Sequence, residues 1–350
     1  MGNSTDESSP SLPMFPFYLR VLKLSLYVII FVISLVANSL VCIVILRRKK
    51  MKTVTNYFIL NLAIADLTLN CFCIPFDIPV QELNSIWPYG SIMCKILYPI
   101  QTLLLFASVN TLTAVSLARQ RAIVYPMKRQ LTKSGAKIII IGLWLFASIP
   151  VIPYFQALRF NPELHICEES WNDSTSTKVY TSVIFFFQYL LPFCIMFTAY
   201  FSISQELKRR AENGNQSMKD VQELEARKVV RMLKVVTTLF AMSVLPNNVM
   251  WLWLDYGDAE RKCKYFWELI AFTNILIFSN SAANPICYTI LNENYRQEIS
   301  RLIACRSCKL RDMLGKKENK AVSKQLSIEE AKKRSSTVSS YVMNKFLLDN

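Results

Sequence analysis

The sequence predicts an all-α membrane protein: a seven-transmembrane helix bundle with a short amphipathic helix on its cytoplasmic side. Three observations carry this. Apolar stretches recur seven times, at Leu24–Leu46, Tyr57–Pro79, Cys94–Val124, Ile138–Pro153, Tyr180–Ser204, Val229–Leu254 and Phe266–Leu291. A helix crosses a hydrocarbon core with about 20 mainly apolar residues, and most of the stretches reach that length; the fourth is short. The stretches lack the period-2 alternation of a membrane barrel, and the loops between them alternate in charge.

The charges orient the bundle. Arg47, Arg48, Lys49, Lys50 and Lys52 follow span one, and Arg119, Arg121, Lys128, Arg129, Lys133 and Lys137 follow span three, in neither case with an acid. The opposite loops carry Asp77 and Glu82, then Glu163, Glu168, Glu169 and Asp173. Lys and Arg near span ends favour the cytoplasm, so the N-terminal tail is expected outside and the C-terminal tail inside a multi-pass plasma-membrane protein. The net charge of +15 is then a matter of anionic inner-leaflet lipid rather than nucleic acid, since no nucleic-acid motif accompanies it.

Residues 1–23 form a polar, Pro-bearing outer tail with no evident cleavable leader, so span one is expected to act as an uncleaved anchor. Asn3 lies in a glycosylation sequon there, and Asn172 lies in another in the second outer loop. Residues 24–291 make the bundle. Span two buries Asp66 within Asn61-Leu-Ala-Ile-Ala-Asp66, and a charge at that depth costs roughly 3 kcal/mol, which marks it for function. Asn38, Ser108, Asn280, Ser281 and Asn284 are candidate companions from other spans. A carboxylate among hydroxyl and amide oxygens suits a small hard cation such as sodium. A hydrogen-bonded Asp that ties helices together fits the same pattern, and both readings stay open.

Pro75, Pro192, Pro246 and Pro285 each remove a backbone bond within a span and mark kinks. Cys94 and Cys167 both face the oxidising side, where a disulfide would pin the second outer loop over the bundle mouth. Cys42, Cys71, Cys73, Cys194 and Cys287 read as small buried packing residues. Gly214 breaks the charged segment between spans five and six. Residues 292–304 read as an amphipathic helix on the inner membrane face, with Tyr295, Ile299 and Leu302 at helical spacing. Cys305 and Cys308 follow, either palmitoylated or free. Residues 305–350 have the composition of a disordered tail with a Ser/Thr cluster.

Other classes fit less well. A transporter predicts internal repeats, which are missing, and a channel predicts several charges along a pathway, whereas Asp66 alone is deeply placed. An enzyme needs a nucleophile–base set or metal-ligand spacing, and the single His165 lies in an outer loop. No cofactor is expected beyond a possible sodium ion.

The motifs resemble the rhodopsin-like, class A G-protein-coupled receptors across all seven spans. They are Asn38; Leu62-Ala-Ile-Ala-Asp66; Trp87-Pro-Tyr-Gly90 before Cys94; Ser116-Leu-Ala-Arg119 leading into Ala122-Ile-Val-Tyr-Pro126; Trp144; Pro192 with Tyr200; Phe240 with Pro246; and Asn284-Pro285-Ile-Cys-Tyr288. The resemblance implies that a ligand entering from outside shifts span six outward at its inner end and opens a cleft for a heterotrimeric G protein. It implies that Arg119 contacts that protein, supported by Tyr200 and Tyr288, and that Asp66, Ser108, Asn280, Ser281 and Asn284 form a sodium pocket of the resting state. Phosphorylation of the tail by a receptor kinase, followed by arrestin recruitment, is a further expectation.

Three positions depart from the family pattern. Ala118-Arg119-Gln120 replaces the usual Asp-Arg-Tyr, Ala226 stands where relatives place an acid, and Val244 replaces the usual Trp. An Arg lacking both acidic restraints implies raised basal signalling; loss of the Trp implies the rival, a weakly coupled or decoy receptor. Gln101 stands where amine receptors carry Asp, and Phe278 where light receptors carry Lys. Gln101, Ile74-Pro75-Phe76 and Trp87 are instead similar to peptide receptors of the neuropeptide Y, orexin and RFamide kind. Glu163, Glu168, Glu169, Asp255 and Glu268 would attract a basic peptide. Gln101, Gln188, Asn247, Asn274 and Glu168 are the expected ligand contacts.

Overall fold

The structure, a computed structural model, describes residues 16–83, 86–212, 220–293 and 295–302. Among the described residues, seven long helices are apolar enough to cross a membrane: α1 (Phe17–Arg47), α2 (Val54–Glu82), α3 (Gly90–Val124), α4 (Lys133–Ala157), α5 (Ser174–Arg210), α6 (Arg227–Gly257) and α7 (Phe266–Leu291). Side-chain caps fix three of the starts. Thr53 accepts from the Asn56 N–H at 3.3 Å, Thr132 from that of Gly135 at 3.1 Å, and Asp173 from that of Ser176 at 2.6 Å. Each satisfies an N–H that the first helical turn leaves without a partner.

The helices run further than hydropathy alone suggests, and the extra turns have a physical cause. α1 begins seven residues before Leu24, carrying Arg20 and Lys23 into its outer turns. Both pair with Glu82 at the end of α2, Lys23 at 3.0 Å and with its side chain 6% exposed. An apolar count penalises those cations; a partner on the next helix removes the penalty. α4 gains a turn at each end, from the Thr132 cap to Ala157 beyond Pro153.

α3 lies against α2, α4 and α5, while α7 packs between α1 and α6. Leu104 and Phe106 of α3, Phe278 of α7 and Tyr27 of α1 are among the buried side chains. The outward faces are apolar as well, with Ile138 70% and Leu145 66% exposed on α4. Apolar surface on that scale is unfavourable in water and natural against lipid. Cys73 and Cys287 are buried as expected, but Cys71 and Cys194 are exposed on those outward faces and Cys42 is half-buried. The small-core expectation fails for Cys71 and Cys194, because hydropathy does not say which face of a lipid-exposed helix a thiol occupies.

Two turns widen to π geometry, Leu69–Cys73 before Pro75 and Phe185–Leu190 before Pro192. Proline lacks the N–H that would reach back one turn, and the wider turn accommodates the interruption. Between α4 and α5 the chain forms a hairpin, β1 (Leu158–Asn161) antiparallel to β2 (Ile166–Glu169), turned through His165 at φ 52°. Its four-residue strands are too short to give a clear alternation. Residues 295–302 are helical. Asn3, Cys305, Cys308 and the Ser/Thr cluster lie outside the described residues, as do the side chains of Glu225 and Ala226.

Candidate functional site

At one end of the bundle Cys94 of α3 is bonded to Cys167 of β2, with the two Cα atoms 5.6 Å apart. Trp87 buries itself beside them: its indole N–H donates to the Gly90 carbonyl at 2.8 Å, and its backbone N–H donates to that of His165 at 2.6 Å. Gly90 sits at φ +69°, a backbone conformation that needs glycine, which explains the residue at the end of the Trp87 motif. The hairpin is therefore fixed to α3 covalently and to the α2–α3 turn by the Trp87–His165 backbone hydrogen bond.

The fixed hairpin separates two neighbouring acids. Glu168 is exposed, opposite Arg159 in the strand register. Glu169 is exposed too, but its carboxylate accepts from the Trp171 indole N–H at 2.7 Å and lies beside Tyr154. Burial raises the Glu169 pKa, the Trp171 and Tyr154 hydrogen bonds draw it back, and the like charge of Asp255 on α6 raises it again. Asp255 Oδ2 is buried and without a hydrogen-bond partner. Sequence reasoning placed Glu168, Glu169 and Asp255 together at the mouth; the register adds that Glu169 shares the strand face of buried Leu158 while Glu168 shares that of Arg159.

Deeper on the same side, the Asn247 side-chain amide of α6 donates to Thr273 Oγ1 at 3.0 Å and Asn274 Oδ1 at 2.9 Å, joining α6 to α7. Gln101 is half-buried on α3 and Gln188 is buried in the π turn of α5. A second cluster was missed. Asp77, buried on α2, accepts from the Gln81 amide at 2.6 Å and from the Tyr27 hydroxyl of α1 at 3.4 Å. The sequence reading counted Asp77 among the outer-loop acids, so its burial against Tyr27 of span one and Gln81 of α2 went unseen.

At mid-bundle, Asn284 Nδ2 donates to Asp66 Oδ2 at 2.8 Å, and Ser281 is also a hydrogen-bond partner of that carboxyl. Asn38 Nδ2 donates to the Ser281 carbonyl at 3.1 Å, so α1, α2 and α7 meet there. Asp66 Oδ1, Asn38 Oδ1, Ser108 Oγ and Asn280 Oδ1 are buried without hydrogen-bond partners. Oxygen donors in that condition fit a hard monovalent cation. Nearby, Trp144 of α4 donates to Asn61 Oδ1 at 2.9 Å while Asn61 Nδ2 donates to Thr111 Oγ1 at 2.8 Å, tying α2, α3 and α4.

At the opposite end, Arg119 forms no ion pair among the described residues, and its Nε is buried without a partner. Tyr200 of α5 shares a 2.6 Å hydrogen bond with Ser116, one turn before Arg119. Tyr288 of α7 packs its ring 6.1 Å from that of Tyr295, with a buried hydroxyl that has no partner. Phe240 and Val244 are buried on α6 around Pro246, and Pro285 follows Asn284 within α7. Asn172 is exposed in the bend before α5.

Residues 37–288 match the family model described as 7 transmembrane receptor (rhodopsin family). The chain belongs to that family. Neuropeptide FF receptor 1 of Rattus norvegicus is 33% identical over 86% of this chain and 72% of its own length. Neuropeptide FF receptor 2 of Mus musculus is 34% identical over 78% of this chain and 70% of its own. Galanin receptor type 1 of Rattus norvegicus is 32% identical over 88% of this chain and 90% of its own. The chain is thus a multi-pass membrane receptor and not an enzyme, and the class A resemblance read from its motifs holds.

Proposed function

We propose that this receptor carries a basic peptide signal from outside the cell to a heterotrimeric G protein, with the disulfide end extracellular and the Arg119 end cytoplasmic. The Lys and Arg clusters at the Arg119 end support the orientation. The relatives named for neuropeptide FF support a peptide of that kind. The observation that carries the reading is Asp255: a buried carboxylate oxygen without a partner, with the Glu169 carboxylate near enough to feel its charge. Two such acids are relieved by one ligand cation. Gln101, Gln188, Asn247 and Asn274 supply amides below them for the peptide backbone or a C-terminal amide.

The peptide biases a two-state bundle by binding one state better than the other. We assign to the resting shape the Ser116–Tyr200 bond that ties α3 to α5. Asp66, Ser108, Asn280, Ser281 and Asn284 would hold a sodium ion, which supplies a positive charge that neutralises Asp66 in that shape. Arg119, free of any carboxylate, is already available to the G protein, so basal signalling is raised.

The test is G-protein dissociation in cells expressing the full chain and exposed to a library of amidated basic peptides. Asp255→Asn is expected to lower the potency of the active peptide by about 30-fold, the low end for breaking a desolvated charge pair. Activation by amines or lipids alone, with basic peptides inert, overturns the ligand class.

A further inference from the structure

At the Arg119 end, an open cleft of about 200 Å³ lies between α6 and the turn after α7, lined by Lys228, Arg231, Ile290, Leu291, Glu293 and Arg296. Three cations face one acid. Lys228 and Glu293 are 3.5 Å apart and each about half exposed, a pairing that solvent weakens. Arg296 Nη1 donates to the Ile290 carbonyl at 3.4 Å. Arg231 is exposed and has no ion pair or hydrogen bond among the described residues. The cleft is therefore an electropositive recess in which Arg231 is unpartnered among the described residues and the contacts of Lys228 and Arg296 are long and exposed.

Its surroundings indicate what it takes. The cleft lies where the apolar runs of α6 and α7 give way to charge, at Arg227, Lys228 and Arg231 on one helix and at Glu293 and Arg296 after Leu291 on the other, a change that marks headgroup depth. Above Arg231, the exposed residues Val235, Leu239 and Met242 recur at helical spacing on one face of α6. Ile290, 63% exposed, lines the cleft and begins an apolar row with exposed Ile286 on α7. Cations at the interface, with apolar rows leading into the bilayer, match a lipid with an anionic head and acyl chains better than a free anion. Guanidinium groups bind phosphate oxygens in pairs, so a phosphomonoester headgroup gains more here than a singly charged one.

We propose that this cleft binds the multiply phosphorylated headgroup of a membrane lipid. Arg231 and Arg296 grip the phosphates, Lys228 joins them, and Glu293 is the acid they displace. The biological source of that lipid rests on the orientation proposed above, which puts the cleft in the cytoplasmic leaflet. Nanodiscs present lipid to both faces, so a failed orientation leaves the binding test intact.

The test uses the full-length receptor in phosphatidylcholine nanodiscs doped with phosphatidylinositol 4,5-bisphosphate, or with phosphatidylserine at equal total charge. Bound lipid is counted by native mass spectrometry, with soluble inositol trisphosphate as a separate arm. One bisphosphate lipid is expected to bind saturably. The R231Q/R296Q variant is expected to weaken it about 25-fold, from roughly fivefold per interfacial charge. Lys133→Gln, a cation removed from the start of α4 outside the cleft, should leave affinity unchanged. Glu293→Gln should raise it, a gain that a misfolded receptor does not produce. Unchanged affinity in the double variant, or equal binding of phosphatidylserine, overturns the site. Inositol trisphosphate binding as tightly as the lipid overturns the lipid as its occupant.

Discussion

Arg119 shows how far a residue can be read before a structure exists. Its neighbours Ala118 and Gln120 remove the local acid and the usual aromatic, and the structure finds Arg119 with no ion pair among the described residues and a buried Nε without a partner. A carboxylate one residue away restrains such an Arg, and a restraint of ~1 kcal/mol moves a two-state balance about fivefold. Ala118→Asp is therefore expected to lower ligand-free G-protein activation, measured against vector control. An unchanged signal means that the Arg is restrained by other means. Asp66→Asn should abolish any sodium dependence of peptide affinity while leaving the receptor folded, read by titrating peptide binding with and without sodium. Glu169 and Asp255 were less legible: the sequence supplied acids at the mouth, and only strand register turns one of two adjacent glutamates inward. Since burial raises the Glu169 pKa, it takes up its proton at a higher pH than an ordinary glutamate, whereas a bound cation favours the ionised form. Affinity for a basic peptide should thus fall as pH drops through the raised carboxyl range, and Glu169→Gln should flatten that dependence.

Elements were readable to within a turn or two, and the errors share a cause. Apolar counting trims a helix at its first charge, so α1 was started at Leu24 although Arg20 and Lys23 continue it against Glu82. Glu82→Gln leaves the buried Lys23 without its counter-charge and should cost on the order of 3 kcal/mol, seen as a lower Tm of the purified receptor. The Trp144–Asn61–Thr111 link is expected to matter less. Hydrogen bonds between membrane helices average ~0.6 kcal/mol, so Trp144→Phe should shift Tm only slightly. The π turns were not legible, because proline marks an interruption without saying how the backbone accommodates it. The β1–β2 hairpin was missed because it is held by Cys94 and the Trp87 turn rather than by strand patterning.

For the whole molecule, lipid as solvent explains why so much was visible in the chain. A helix in hydrocarbon must satisfy its backbone internally, so spans announce themselves by length, and polar residues inside them stand out. Asp66, Asn284 and Ser281 meet at mid-bundle for that reason, while the ends rely on long-range pairings that no local pattern encodes. The central claim is that peptide binding at the disulfide end changes the shape of the Arg119 end. Spin labels at Ser134→Cys and Val235→Cys, with exposed Cys71 and Cys194 replaced by Ser, report the α4–α6 distance in nanodiscs by pulsed electron resonance. On addition of a saturating active peptide, the distance distribution is predicted to shift towards a longer population. A distribution that stays the same with peptide bound would contradict the account.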